Sequence, residues 1–280
     1  MSSSAAQPLL ALLAHPVGGN PTQYMLEKAF AHHDLDWRYL TFEVAPDNLG
    51  DAMRGLRALG FRGGHCADPH KQAVIPLLDR TTDAAATIGA VNLICRDGDA
   101  FVGDNIEGRC VVNTIRRTLD PAGKQVVLLG AGRVARAVAL ELAAAGAAGL
   151  TVVNRNEDRA AELVAMLAGK SELPVSTVAW QGEYAVPPEA EILIRATSKL
   201  AGDARLPLAI DSLRPELLVA DATPGLLQTP LLGEAAQRGC KTVNGLAMFI
   251  EQVATSFQLW TGVEPRRQVL CEAVEEFLEL

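Results

Sequence analysis

No CxxC pair occurs in this chain, and its five cysteines (Cys66, Cys95, Cys110, Cys240 and Cys271) are scattered and odd in number. A disulfide framework is therefore excluded, and reduced thiols in a cytoplasmic protein fit best. An excess of positive charge is also missing. The 25 Lys and Arg are outnumbered by 33 Asp and Glu, a formal net charge of -8, so no broad nucleic-acid surface is expected. The uncharged stretch from Leu142 to Val153 is too short and too rich in Gly and Ala to cross a bilayer. Met1 to Gln7 is polar and lacks the basic-then-apolar order of a signal peptide. No solenoid-type repeat is present. What the chain does have is apolar content: 49% of 280 residues are hydrophobic and 21% are charged. That is enough for one large domain or two modest ones, and it argues against disorder.

Apolar runs alternate with helical patterns, the order expected of an α/β architecture. In the first half, strands are predicted at Pro8–Ala14 and Trp37–Val44, and Phe61–Ala67 reads as a short Gly-containing strand or loop. Helices are predicted over Thr22–His32 and Asn48–Leu59, and from Pro69 onward. The middle is more regular: strand Gln125–Leu129, helix Arg133–Ala145, strand Leu150–Asn154, helix Glu157–Ala168. Strands at Ile192–Ala196 and Leu217–Ala220 follow, then helical patterns over Ala247–Trp260 and Pro265–Leu280.

The run Val126-Val127-Leu128-Leu129-Gly130-Ala131-Gly132-Arg133-Val134-Ala135 reads as strand, GxGxxA turn and helix. That context makes a weak glycine motif informative. Gly130 permits the tight turn. Gly132 lets backbone amides approach a pyrophosphate at the helix N-terminus, and Ala135 allows close helix–strand packing. At the end of the next strand, where NAD sites usually carry an acid, the sequence is Asn154-Arg155-Asn156-Glu157-Asp158-Arg159. Arg155 and Arg159 could grip a 2′-phosphate, which favours NADP over NAD. The competing reading makes both arginines solvated helix-start residues paired with Glu157 or Asp158.

Asp68-Pro69-His70-Lys71 reads as an N-cap, a proline at the first helical position and a lysine in the first turn. A cation there opposes the helix dipole, which makes functional sense if the amine handles a proton or an anion. Gly89-Ala90-Val91-Asn92 and Gly103-Asp104-Asn105-Ile106-Glu107-Gly108 place polar groups at turns. To these are added Ala196-Thr197-Ser198, Thr229-Pro230-Leu231-Leu232, Gly245-Leu246-Ala247-Met248 through Gln252, and Leu259-Trp260-Thr261-Gly262. In this joint order, over nearly the whole chain, the motifs resemble the shikimate/quinate dehydrogenase family.

The resemblance implies two domains flanking a cleft. The first is an N-terminal α/β substrate domain over 1–107, completed by C-terminal helices in 247–280. The second is a Rossmann domain over 108–246. It implies hydride transfer between NADP(H) and a ring carbon bearing a hydroxyl or ketone on a cyclic hydroxy acid, a reaction of aromatic amino acid biosynthesis. It places Lys71 and Glu107 at the reacting hydroxyl as a coupled pair sharing its proton. Asn20, Asn92, Asn105 and Gln252 would hold the substrate. Gly130, Ala131, Gly132, Arg133, Val134, Asn154, Arg155, Arg159, Thr197, Gly245 and Met248 would hold the cofactor. No resident metal, membrane or nucleic-acid partner is expected, and the assembly is a monomer or homodimer.

Departures from the family concentrate at the substrate. A Ser-x-Ser pair gives way to Gly18-Gly19-Asn20, a threonine to Ala67, and the aspartate of Asn-Thr-Asp to Glu107 behind Ile106. In the nucleotide half an asparagine becomes Arg195 and a tyrosine becomes Pro224. Each lost hydrogen bond costs about 0.5–1.5 kcal/mol, and more where a carboxylate is the partner. The expectation is a divergent paralogue with altered substrate preference; the alternative is a non-catalytic nucleotide- or metabolite-binding protein. His65, Cys66, Asp68 and His70 are all of metal-ligating type but crowd too closely to form separated ligand pairs.

Overall fold

A computed structural model of the chain describes residues 6–197, 205–223 and 228–280. It forms two compact units, Met1–Ile106 with Gln252–Leu280, and Glu107–Glu251. Among the described residues, no helix is long and apolar enough to cross a membrane.

The first unit holds one six-stranded sheet. Its strands are β1 (Leu9–Ala14), β2 (Arg38–Glu43), β3 (Gly63–Cys66), β4 (Arg80–Thr81), β5 (Leu93–Asp97) and β6 (Ala100–Asp104), in the order β2-β1-β3-β5-β6-β4. β1 is parallel to β2 and β3, while β5 is antiparallel to β3 and β6. Leu10 to Ala14 are all buried, so β1 is covered on both faces and its sequence is a continuous apolar run. The helices are α1 (Thr22–His32), α2 (Leu49–Ala58), α3 (His70–Ala73) and α4 (Asp83–Ile88). α1 buries Met25, Leu26, Ala29 and Phe30, one face at helical spacing.

The capping expected at Asp68 is corrected here. Pro69, not Asp68, is the residue flanking α3, no side chain caps the helix, and the helix is a single turn. A 3-10 turn over Ile75–Leu77 follows it, with Pro76 in its first turn, where a ring without an N–H ends the α-helical ladder. The Asp68 carboxylate lies instead 4.0 Å from Lys71 Nζ.

The second unit opens with α5 (Glu107–Arg116) and builds a parallel sheet from β7 (Gln125–Leu129), β8 (Gly149–Asn154), β9 (Val175–Ala179), β10 (Ile192–Arg195), β11 (Leu218–Asp221) and β12 (Lys241–Val243). The order β12-β11-β10-β7-β8-β9 reverses direction between β10 and β7. In a doubly wound sheet that switch point is where ligands bind, outside the carboxyl ends of the strands. α6 (Arg133–Ala144), α7 (Glu157–Ala168), α8 (Pro230–Gln237) and the start of α9 (Gly245–Thr261) complete the unit. Val126 and Leu128 pack into one core with α5, α6 and α7, while Val127 and Leu129 pack into a second with α8. The rest of α9 and all of α10 (Arg267–Leu278) belong to the first unit, where α10 packs on α1.

Candidate active site

One end of the first sheet gathers four polar positions. Lys71 follows the end of β3, and its side chain is 18% exposed. Its carbonyl accepts a hydrogen bond from Val91 N at 2.8 Å, tying α3 to the turn that leads into Asn92. Asn92 is 1% exposed, and its backbone bridges Cys66 N and Asp104 O. Its Oδ1 accepts from Ile106 N at 2.9 Å, which fixes which end of the amide is the donor. The donor, Nδ2, is buried and has no partner among the described residues. An orphaned buried donor costs about 1–3 kcal/mol unless a ligand or water accepts from it. Asn105, equally buried, donates from Nδ2 to Ala90 O at 3.1 Å and so stitches the two turns together. Asn20 accepts from Thr22 N at 2.9 Å and so opens α1.

Gln252, half-buried on α9, neighbours a chain of groups that sequence reasoning misses. Tyr39 Oη lies 2.7 Å from His65 Nδ1, and His65 Nε2 lies 2.7 Å from Ser256 Oγ. Ser256 Oγ then donates to Gln252 O at 2.8 Å. Burial, and secondarily the charge of Lys71, lowers the His65 pKa to about 3, so the ring is neutral. Burial pushes the neighbouring Cys66 thiol up to about 12, with Lys71 acting in the opposite direction. No group of three metal-ligating side chains occurs among the described residues. The one sequence signal for this chain is the i, i+4 spacing of Gln252 and Ser256, which puts both on one helix face.

The second unit carries a cradle at the end of β7. Gly130 has φ +117°, and a Cβ there would stand 2.7 Å from Ala196 O. Only glycine fits this turn. Gly132 precedes α6 in extended conformation with nothing within 4 Å of an added Cβ, and the first turn of α6 holds no acid. Ala131 is buried, Arg133 exposed and Val134 half-buried. No side chain caps this helix N-terminus, whose first-turn N–H groups suit a pyrophosphate. At the end of β8, Asn154 Nδ2 donates to Asn156 O at 2.6 Å, and Asn156 Oδ1 caps α7 by accepting from Arg159 N. Arg155 and Arg159 are exposed, with no ion pair to either side chain among the described residues. Thr197 is half-buried beside the turn. Gly245 starts α9 so close to the chain that a Cβ would lie 1.9 Å from Thr223 O, and Met248 is buried in the unit's core. Glu107, the first residue of α5, is half-buried. Pro224 and Ser198 lie outside the described residues.

A further group escaped the sequence reading. Arg195 and Asp221 are register partners at the ends of β10 and β11, with Nη1 and Oδ2 3.1 Å apart and side chains 1% and 0% exposed.

A two-unit α/β chain with a doubly wound sheet and a glycine cradle defines a dinucleotide-binding class. The comparisons are more particular. Residues 12–94 match the model of the shikimate dehydrogenase substrate binding domain, and residues 114–201 that of shikimate / quinate 5-dehydrogenase. The chain is 40% identical over 278 residues to a shikimate dehydrogenase (NADP(+)) of Moorella thermoacetica, covering 97% of this chain and 94% of that protein. Among solved structures it is similar to the ligand-free 5-ketofructose reductase of Gluconobacter sp. strain CHM43, with a TM-score of 0.93 and 37% identity over 98% of this chain and 99% of that one. It is also similar to a shikimate dehydrogenase in complex with NADP+, with a TM-score of 0.86 and 32% identity over 98% and 96%. The chain belongs to the shikimate/quinate dehydrogenase family.

Proposed function

We propose that this chain is an NADP-dependent oxidoreductase that interconverts a hydroxyl and a ketone on a small polyhydroxylated ring, with a preference shifted away from shikimate itself. The observation that carries the substrate side is the orphaned Asn92 Nδ2, buried at the strand end that also bears Lys71. A donor left open beside an amine suits a ring oxygen next to a reacting hydroxyl. On the cofactor side the Gly130–Gly132 cradle fits a pyrophosphate, and exposed Arg155 and Arg159 fit a 2′-phosphate. Bound there, NADP supplies the hydride acceptor or donor.

The chain's own residues then handle the proton. Lys71, coupled with Glu107, takes the proton as a ring hydroxyl becomes a ketone and returns it in the reverse direction. Asn92 and Gln252 hold neighbouring ring oxygens, Asn105 keeps the Asn92 turn in place, and Met248 supports the nicotinamide side.

The shift in preference follows from what the pocket lacks. No serine hydroxyl stands at Gly18-Gly19-Asn20, and residue 67 is alanine rather than threonine. A substrate carboxylate would lose bonds worth about 1.5–3 kcal/mol each. Similarity to a 5-ketofructose reductase supports the same direction, since that sugar carries hydroxyls and no carboxylate. The test is turnover of NADPH or NADP+ across shikimate, quinate, their ketones and 5-ketofructose. Higher kcat/KM on an uncharged ring than on shikimate is expected. A preference for shikimate overturns the shift, and no turnover on any ring favours the binding-protein alternative.

Cofactor choice is tested separately. Arg155→Ala is expected to raise the NADP dissociation constant by about 10- to 100-fold, the worth of a charge-assisted bond, and to leave that of NAD unchanged. Equal effects on both cofactors would remove Arg155 from the 2′-phosphate.

A further inference from the structure

We infer that the buried chain Tyr39–His65–Ser256 is a positioning device, fixing the turn of α9 that carries Gln252 against the strand end that carries Lys71. The inference rests on the proposed function only in taking Gln252 as a substrate contact; the mechanical claim stands on the first unit alone.

One assignment of protons satisfies every group in the chain. Ser256 has one hydroxyl proton, and it goes to Gln252 O four residues back. In this assignment His65 Nε2, 2.7 Å from the same oxygen, is the donor. Its neutral ring then carries a lone pair at Nδ1, which accepts the Tyr39 hydroxyl proton at 2.7 Å. Each proton then has one destination. Tyr39 and Ser256 are fully buried and His65 is 5% exposed, so the chain is shielded from bulk solvent.

The geometry connects three elements. Tyr39 is on β2, His65 on β3 and Ser256 on α9. The Trp260 ring stands edge-on to His65 at 4.8 Å, and its Nε1 donates to Ile94 O at 3.0 Å, giving α9 a second anchor one turn further on. Gln252, Ser256 and Trp260 follow one another at i, i+4 and i+8, a single face of the helix. Two of the three are pinned to the sheet, so the rotation of α9 about its axis is set, and with it the direction of the Gln252 Cα–Cβ bond. β3 passes from His65 through Cys66 into the segment ending at Lys71. The charge of that lysine acts on both His65 and Cys66.

The test uses the full-length protein, with NADP(H) and the best-turned-over ring substrate of the panel above. Ser256→Ala is expected to raise KM for the ring substrate about 3- to 10-fold, the worth of one hydrogen bond, while kcat and the KM for NADP(H) stay within about twofold. Ser256→Thr, which keeps the hydroxyl, should restore KM. In a Gln252→Ala background the effect of Ser256→Ala on KM should vanish, because the device acts through that residue. An unchanged KM, or a Ser256→Ala effect that persists without Gln252, overturns the inference. Hydrogen exchange without substrate separates this from a failure of the proposed function. Protection of the 252–256 amides should fall about tenfold in Ser256→Ala, with α10 and the second unit unaffected. Unchanged protection overturns the positioning claim whether or not any ring compound is turned over.

Discussion

Lys71→Ala is expected to lower kcat by about 10²- to 10⁴-fold, the usual worth of a positioned acid–base group, with NADP affinity unchanged within about twofold. The expectation rests on how firmly the residue is held. The carbonyl of Lys71 is fixed by Val91 N, and His70 before it is buried with Nε2 2.8 Å from Val44 O. With 18% of its side chain exposed, the amine has little freedom to wander, and Asp68 is within 4.0 Å of it. Lys71→Arg is the sharper variant. It keeps the charge but cannot give up a proton, so it should fail almost as badly if proton transfer is the role. If the role were only to attract an anion, Arg would retain most of the activity. Steady-state turnover on the ring panel and fluorescence titration of NADPH give the two readouts. Near-normal turnover in Lys71→Ala would remove this residue from the chemistry.

How much of this was legible beforehand differs between the units. In the second, the central strands β7, β8, β10 and β11 are largely buried, α6 starts just after Gly132, and α7 starts at the Asn156 cap. β7, α6 and α7 consequently begin within a residue of where apolar runs and punctuation put them. The same local logic fails at β5 and β6. There Arg96, Asp97 and Asp99 flank a hairpin turn at Gly98, φ +60°, and a charged turn of this kind hides two short strands. Site residues followed the same division. Gly130 and Gly132 declare themselves by local backbone needs. The orphaned Nδ2 of Asn92 exists only because Ile106 N occupies the other end of its amide. His65 sat in the sequence among residues of metal-ligating type. Its actual partners, Tyr39 and Ser256, are 26 and 191 residues away, distances across which spacing carries no information.

Arg195 is a similar case, visible as a departure but meaningless until β10 and β11 are in register, and it leads to the other large effect. Asp221→Ala is expected to destabilise the protein by about 3–5 kcal/mol, because it strands a fully buried guanidinium. For a domain of this size that is a fall in Tm of roughly 10 °C. Arg195→Met should cost distinctly less, and the reason lies in how each partner is satisfied. The Asp221 carboxylate accepts from Thr223 N at 3.0 Å, Thr223 Oγ1 at 2.6 Å and Thr229 Oγ1 at 2.7 Å, besides the arginine. Without Arg195 three donors still hold it. Arg195 has only the Asp221 bond at Nη1, and its Nε and Nη2 are buried with no partner among the described residues. Removing the arginine therefore removes an existing penalty along with an attraction, whereas removing the aspartate removes only compensation. Thermal unfolding of both variants at one pH measures the difference. Equal losses, or a larger one for Arg195→Met, would mean that the guanidinium is satisfied and that the pair is a net source of stability rather than a charge kept tolerable by its neighbour.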